Sequence, residues 1–180
     1  MTGAITAGSS TNDATPTLAG TAEANSTINV FDGTTLLGTT TSDASGSWTF
    51  TPTAALTDGS HSLTATATDA AGNVSTASSA FTLTVDTAAP ATPVISAVTD
   101  AVAPVTGTLT SGGSTNDPTP TLAGTAEANS TISILDGTTL LGTTTADASG
   151  NWSFTPTTAL ADGNHSLTAT ATDAAGNVST

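Results

Sequence analysis

Carboxylates supply almost all of the chemically active side chains in this chain of 180 residues. Asp and Glu together number 14, and the sequence contains no Lys, no Arg and no Cys, so its formal net charge is −14 at pH 7. Salt bridges can form only through the two His residues or the N-terminus, so the chain itself cannot neutralise the repulsion among its carboxylates. A bound divalent cation could do so, and Ca2+ takes about six to eight oxygen ligands of the carboxylate, carbonyl and amide types.

The first candidates for calcium ligands lie around the junction between two predicted units. Asp69 opens a loop that also contains Asn73, and Asp86 closes the last strand before the junction. In a sandwich, the strands before Asp69 and Asp86 run side by side or end near the same pole. We therefore expect Asp69, Asn73 and Asp86 to meet, with Asp100 as a fourth ligand and Asp173 as the later copy of Asp69.

A second candidate pair of calcium ligands is Asp13 and its copy Asp117, each in a turn before Pro. The alternative for all of these residues is that they form Asx turns, which cap loops by local hydrogen bonds. The chain has neither the Asp-x-Asp-x-Asp-Gly spacing of an EF-hand nor a Gly-Gly-x-Gly-x-Asp repeat. The calcium prediction therefore depends on relief of charge repulsion and on the resemblance described below.

The Asp residues that precede Gly are predicted to lie in turns, and the two His residues are predicted to be solvated. Four Asp residues precede Gly and are interpreted as turn residues, namely Asp32, Asp58, Asp136 and Asp162. Each unit has a single His, and a metal or catalytic role would need a second His or a converging carboxylate or Cys. We therefore predict that His61 and His165 are solvated at strand edges.

Several classes of function are excluded by composition. Without Lys or Arg the chain cannot neutralise phosphate, so nucleic acid and anionic membrane surfaces are unsuitable partners. No apolar run approaches the roughly 18 residues of a membrane-spanning helix, so no membrane insertion is expected. There is no Gly-x-Ser-x-Gly elbow, no Lys base and no thiol, and we predict that the chain is not an enzyme.

An internal repeat determines the predicted organisation. The segment Thr11–Glu23 returns as Thr115–Glu127 with an offset of 104 residues, and the match continues without gaps from about residue 2 to residue 76 of the first copy. A period of this length is too long for a solenoid unit and suits a whole small domain. The chain is therefore predicted to contain two tandem domains.

Within each repeat the apolar residues alternate with polar ones, mostly Thr, which is the period of a half-buried strand. About seven such strands, separated by Asp-Gly and Gly-Asn turns, predict an all-β fold of tandem immunoglobulin-like Greek-key β-sandwiches in a linear array. The predicted core of the first unit comprises Leu18, Ile28, Val30, Leu36, Trp48, Phe50, Leu63, Phe81, Leu83 and Val85.

The two copies differ at their ends. The strand Phe81–Val85 has no counterpart in the second copy, and residues 88–104 have none in the first. We therefore expect repeat 1 to span residues 1–87 without its opening segment and repeat 2 to span residues 88–180 without its last strand. The Pro-containing stretch 87–93 is the predicted linker, stiffened by Pro.

Four motifs carry a family resemblance that covers nearly the whole chain. They are Thr-Asn-Asp-x-Thr-Pro-Thr-Leu at 11–18 and 115–122, Gly-Thr-Ala-Glu-Ala at 20–24 and 124–128, Ala-Thr-Asp-Ala-Ala-Gly-Asn-Val-Ser at 67–75 and 171–179, and Val-Asp-Thr-Ala-Ala-Pro at 85–90. With them the chain resembles the bacterial Ig-like repeats of giant biofilm-associated and RTX-type surface adhesins.

The resemblance implies a structural function outside the cell. Such proteins are secreted to the bacterial cell surface, where many Ig-like units form an extender that holds a terminal ligand-binding region away from the cell. Calcium bound at or near domain junctions stiffens the rod, neighbouring repeats are the partners of each unit, and other regions bind the adhesion ligand. The competing hypothesis is an Ig-like module that itself binds a glycan or a host protein, which an exposed aromatic cluster on one loop face would favour.

Overall fold

The computed structural model describes residues 3–180, which form two compact units divided between Thr87 and Ala88, with unit 1 before this point and unit 2 after it. All regular structure in the described residues is β-strand, which confirms the predicted all-β class. No helix in this part of the chain is long and apolar enough to cross a membrane.

Unit 1 is built from seven strands arranged in two sheets. The strands are β1 (Ser10–Thr11), β2 (Leu18–Thr21), β3 (Thr27–Asp32), β4 (Thr35–Thr41), β5 (Ser47–Phe50), β6 (Gly59–Thr68) and β7 (Phe81–Val85). One sheet has the order β1-β7-β6-β3-β4 and the other is the pair β2-β5. β1 runs parallel to β7, and the other pairs are antiparallel.

Unit 2 also has seven strands and two sheets. The strands are β8 (Val94–Asp100), β9 (Gly107–Leu109), β10 (Thr121–Thr125), β11 (Thr131–Asp136), β12 (Thr139–Thr145), β13 (Asn151–Phe154) and β14 (Leu167–Thr172). The sheet orders are β13-β10-β8-β9 and β12-β11-β14. At the offset of 104 residues, β10 to β14 correspond to β2 to β6. Unit 2 adds β8 beside β10, whereas unit 1 has β7 beside β6.

The alternation of apolar and polar residues explains why these segments become strands. In β3, Ile28 and Val30 are fully buried while the residues between and beside them are more exposed, and Ile132 and Ile134 of β11 repeat the pattern. Successive side chains of a strand point to opposite faces, so alternation places one row in the core and one row of Thr and Ser towards water.

Two members of the predicted core lie outside it. Leu36 is 53% exposed and Phe81 is 36% exposed, so these two predictions are wrong. The pairing of β3 with β4 shifts between Val30 and Phe31, where Val30 faces Gly38 and Phe31 faces Leu36. The extra residue is Leu37, which packs against the core instead of Leu36. A bulge of this kind changes the face that a side chain occupies, because the side-chain period of a strand is two.

The bulge can be tested by mutation in both units at once. In unit 2, Leu140 is exposed like Leu36, and Leu141 packs against the core like Leu37. Replacing Leu37 and Leu141 by Ala should lower the free energy of unfolding by about 2 kcal/mol for each unit, since each removes packed methyl groups. Replacing Leu36 and Leu140 by Ala should change it by less than about 0.5 kcal/mol. Urea unfolding followed by Trp fluorescence measures both, and equal losses in the two double variants would contradict the bulge assignment.

Candidate functional site

Asp69 and Asp86 lie at opposite ends of unit 1. β6 and β7 are antiparallel, with Gly59 paired with Val85 and Leu63 with Phe81. Asp86 therefore follows β7 beside the start of β6, whereas Asp69 follows the end of β6. Ten residues of strand separate the two ends, which corresponds to about 30 Å. The expectation that Asp69, Asn73 and Asp86 meet is wrong, because antiparallel pairing sends consecutive strand ends to opposite poles.

Asp69 and Asn73 do come together, within a single loop. Asp69 Oδ1 accepts hydrogen bonds from the backbone N–H groups of Ala71 and Asn73, at 2.9 and 2.8 Å, and the Asn73 side-chain amide donates to Oδ2 at 2.7 Å. Bonds from the Asn73 side chain and backbone lower the pKa of Asp69. This is the geometry of a local turn-capping carboxylate, the alternative that the sequence left open.

The copy of this loop in unit 2 has the same construction. Asp173 Oδ1 accepts from the backbone N–H groups of Gly176 and Asn177, and the Asn177 amide donates to Asp173 Oδ2 at 2.7 Å. Burial opposes ionisation of Asp173, but the bonds from Asn177 outweigh it and lower its pKa. In each of these loops, both carboxylate oxygens of the Asp accept hydrogen bonds from N–H groups of the same loop.

Asp100 and Asp117 are the predicted ligands that the fold brings together. Asp100 is 1% exposed and Asp117 is 5% exposed. Thr115 connects them, since its hydroxyl donates to Asp100 Oδ2 at 2.6 Å and accepts from the Asp117 backbone N–H at 2.9 Å. The backbone N–H of Val102 donates to Asp100 Oδ1, and that of Ala101 donates to Asp117 Oδ2. The Ala101 bond is the main reason that the pKa of Asp117 is lowered.

Asp13 shares only part of this arrangement. Its Oδ1 accepts from the backbone N–H of Thr15 at 2.9 Å, as Asp117 does from Thr119, and its own N–H donates to the Thr11 hydroxyl. In the described residues of unit 1 no strand corresponds to β8, so none of them takes beside Asp13 the place that Asp100 takes beside Asp117. Asp13 is consequently exposed, whereas Asp117 is buried.

The donor sets differ in how well they fit Ca2+. Among residues 3–180, no three His, Cys, Asp or Glu side chains lie close enough together to hold a metal ion. The set of Asp69, Asn73 and Asp86 does not fit, because its members are split between two poles. Asp100 and Asp117 fit in chemical type, since two carboxylates beside the Thr115 hydroxyl are the hard oxygen donors that Ca2+ prefers. All four of their carboxylate oxygens accept protein hydrogen bonds, so a bound ion would share these oxygens with the N–H and O–H donors.

The two His residues form a site that the sequence analysis missed. His61 Nδ1 lies 2.7 Å from Asp32 Oδ2, and its Nε2 lies 2.7 Å from the carbonyl oxygen of Thr57. His165 makes the same contacts with Asp136 and the Ala161 carbonyl. His61 is 8% exposed, so its predicted solvated position is wrong. The sequence held no specific signal for this pair, because the two copies align without gaps and every spacing within them is identical.

The contacts of His61 favour its charged form. A carboxylate and a carbonyl can only accept hydrogen bonds, so both ring nitrogens must carry a proton for both bonds to form. Burial opposes the charge on His61, but the bonds to Asp32 and Thr57 outweigh it and raise its pKa. The bond to Asp136 raises the pKa of His165 in the same way. A chain without Lys or Arg thus places a His with a raised pKa beside one carboxylate in each unit.

These pairs predict a defined dependence of stability on pH. The folded His pKa is raised above 6.5, so the His contribution is fully present below about pH 6.5 and is lost as the pH rises through the folded value. The folded pKa values of Asp32 and Asp136 are lowered from 3.8, so their contribution is lost as the pH falls through those lower values. We expect the melting temperature to be higher at about pH 6 than at about pH 8.

The control for this prediction is the double variant His61→Gln and His165→Gln. Gln retains a side-chain hydrogen-bond donor but does not titrate, so the fall in melting temperature between the two pH values should disappear. Calorimetry of both proteins at matched ionic strength provides the measurement. An unchanged wild-type melting temperature across this interval would exclude charged His–Asp pairs.

Solved structures with related architecture include fibronectin(III)-like modules of CbhA from Clostridium thermocellum, with 17% identity, a TM-score of 0.55 and coverage of 97% of this chain and 86% of that chain. A tetra-tandem repeat in the extending region of a large adhesion protein has 27% identity, a TM-score of 0.36 and coverage of 97% and 46%. A Ca2+-stabilized adhesin that helps an Antarctic bacterium reach out and bind ice has 28% identity, a TM-score of 0.43 and coverage of 93% and 42%.

This chain thus spans less than half the length of the two adhesin structures. No curated protein sequence matches it. The first of the three structures supports the Ig-like sandwich fold and nothing beyond the fold. The family is shown by sequence, since residues 1–87 and residues 92–180 each match the bacterial Ig-like domain. With both of its units matched and both folded as β-sandwiches, the chain belongs to the bacterial Ig-like domain family.

Proposed function

We propose that this chain is a structural extender segment of a secreted adhesin on the bacterial cell surface. The observation that carries the proposal is the repetition of one Ig-like sandwich at an offset of 104 residues with few changes. Distance from the cell can be gained by adding copies, so a spacer needs no difference between its units. A binding or catalytic site normally needs residues that only one copy carries.

The positions of the aromatic residues favour a spacer over a module that binds glycan or a host protein. All six Phe and Trp side chains lie in strands, namely Phe31, Trp48, Phe50, Phe81, Trp152 and Phe154. The binding-module hypothesis expects an exposed aromatic cluster on a loop face, and none of the six side chains lies in a loop. The loops at both poles of each unit carry Asp, Asn, Gly, Ser and Thr, and the loop carboxylates of Asp43, Asp69, Asp147 and Asp173 accept hydrogen bonds from backbone N–H groups.

The negative charge of the chain is consistent with an extender. A net charge of −14 with no Lys or Arg makes neighbouring extender chains repel one another, which keeps them apart and in solution. In this proposal the partners are the neighbouring repeats of the same chain, the adhesion ligand is bound elsewhere, and the chain supports adhesion and biofilm formation without enzymatic activity.

The extender function makes a prediction about dimensions. Proteins with one, two and four copies of the 104-residue repeat should show maximum dimensions in small-angle X-ray scattering that rise in proportion to copy number. A compact multidomain protein would instead show a radius of gyration that grows as roughly the 0.38 power of length. The second behaviour would contradict the proposal.

Calcium is proposed to stiffen the array, and Asp100 with Asp117 is the proposed position within unit 2. Both carboxylates are buried at the end of β8, which is the strand that follows the linker. The ion would supply positive charge to a chain that otherwise has almost none, and would hold the end of β8 against the turn that contains Asp117. Asp69 with Asn73, Asp86 and Asp173 remain proposed ligands at separate places in the fold, and Asp13, which has no neighbour corresponding to Asp100, lies outside the proposed site.

Thermal unfolding tests the calcium proposal. Millimolar Ca2+ should raise the melting temperature relative to EDTA, with Mg2+ at equal ionic strength as the reference. A site saturated at 100 to 1,000 times its dissociation constant stabilises the folded state by about 3–4 kcal/mol. Equal melting in all three conditions would remove calcium from the proposed mechanism and leave the extender function in place.

A matched pair of variants locates the ion. Asp117→Asn should abolish the calcium-dependent rise, because it removes one of two adjacent carboxylates. Asp13→Asn changes the equivalent residue of unit 1, which lacks a neighbour corresponding to Asp100, and should leave the rise intact. Since each substitution also alters a turn, the comparison uses the difference between calcium and EDTA for each variant. Equal effects in both variants would contradict this location.

A further inference from the structure

The strands β1 and β7 of unit 1 lie side by side and run in the same direction. Ser10 lies opposite Thr84, and Thr11 lies opposite the next residue of β7, whereas the other strand pairs of the unit are antiparallel. The backbone that precedes β1 therefore leaves the pair at one end, and the backbone that follows β7 leaves it at the opposite end. A pull on these two segments slides β1 along β7 instead of peeling it away.

Backbone hydrogen bonds cross between these two segments at right angles to such a pull. They include the bonds from N–H to carbonyl oxygen of Gly8 to Thr82, Thr84 to Ser9 and Asp86 to Thr11, at 2.8, 3.0 and 2.9 Å. Because the strands are parallel and the force acts along them, these bonds stretch together and share the load. In a peeling geometry the same bonds would open one after another, and each would carry the whole load in turn.

The pair is anchored in the core of the unit. Thr11 and Val85 are each 1% exposed and Leu83 is 3% exposed. Leu83 and Val85 belong to one buried cluster with Leu56 and Leu63, and β7 pairs with β6 over its whole length. Water has little access to hydrogen bonds in such surroundings, and a polar group that loses its partner there is costly. The bonds between β1 and β7 are therefore hard to replace by water while they are stretched.

A carboxylate extends this anchorage beyond the end of β7. Thr87 donates its backbone N–H to Asp58 Oδ1 at 3.0 Å and its hydroxyl to the same oxygen at 2.9 Å. Asp58 directly precedes β6, the middle strand of the five-stranded sheet. Hydrogen bonds to a charged acceptor are stronger than those between neutral groups. Tension that arrives from the C-terminal side therefore meets the contact between Thr87 and Asp58 before it reaches β7.

We propose that the β1–β7 pair, together with the contact between Asp58 and Thr87, is the part of unit 1 that resists tension along the chain. Buried backbone bonds loaded in shear carry the force, and no bound ion is needed. This role deepens the extender function and rests on it, because an extender that holds a distant region is pulled along its own length. The two proposals fail separately, since scattering measures the dimensions of the array and pulling measures the strength of the pair.

Single-molecule pulling on the full chain tests this role, because the chain has no Cys and takes handles at introduced Cys residues alone. Handles on Ala7→Cys and Ala89→Cys load β1 against β7 in shear. Handles on Ala7→Cys and Ser79→Cys pull the same two strands apart from one end, since Ser79 lies just before β7. All three positions are exposed, and the measurement is made in EDTA.

The unfolding force should depend on the direction of the pull. We expect it to be at least about twice as high between positions 7 and 89 as between positions 7 and 79, because several bonds share the load in the first geometry. A gain in extension of about 3.5 Å for each residue between the handles identifies the unfolding of unit 1. Equal forces in the two geometries would overturn the proposal and would leave the extender function to the scattering experiment.

Two variants in the shear geometry separate strength under load from overall stability. Thr84→Pro removes the N–H that donates to Ser9 and should lower the unfolding force by about a third or more, since forced unfolding follows the unfolding barrier. Val30→Ala removes buried methyl groups of β3, outside the pair, and should lower the melting temperature but change the force by less than about a tenth. A loss of force in Val30→Ala equal to that in Thr84→Pro would overturn the proposal. The comparison of pulling directions needs neither variant.

Discussion

The scarcity of positive charge is the constraint on which the rest of this structure depends. A carboxylate without a cation must be stabilised by dipoles, and the backbone N–H groups of tight turns are the dipoles that this chain has in quantity. Backbone N–H donors lower the pKa values of Asp117 and Asp147, and the Ser45 and Asn73 side chains, together with backbone N–H groups, lower those of Asp43 and Asp69. The turns between strands are thereby tied to ionised Asp, and the loops close at both poles of each sandwich.

The His–Asp pairs are the exception to this rule, and they occur at the same place in both units. Each pair joins the last residue of one strand to a His at or just before the start of the neighbouring strand, so it connects segments that are 29 residues apart in sequence. A contact of this range holds a sheet together in a way that local turn bonds do not. It also makes the fold sensitive to pH near neutrality, because the bonds to Asp32 and Asp136 raise the pKa values of His61 and His165.

Comparison of the two units separates the contribution of one strand from the rest of the sandwich. The five strands that they share form with the same registers in both. β8 then completes the burial of Leu122 and Trp152, while the equivalent residues of unit 1 remain partly exposed. The shared strands therefore define the sandwich, and the additional strand closes its core. For an array of repeats, this places the sensitive part of each unit at the segment that follows a linker.

The sequence by itself determined the repeat, the all-β class and most of the core, because alternation of apolar and polar residues has the period of a strand and needs no knowledge of strand partners. The core predictions for Leu36 and Phe81 were wrong. The exposure of Leu36 follows from a bulge and that of Phe81 from an open edge, and both features depend on how the strands pair. Only the tertiary structure decided which acidic residues meet. Antiparallel pairing carries Asp69 and Asp86 to opposite poles and brings Asp100 beside Asp117 and His61 beside Asp32. Such distances depend on strand order and register, which are set by contacts between distant segments and leave no periodic trace in the sequence.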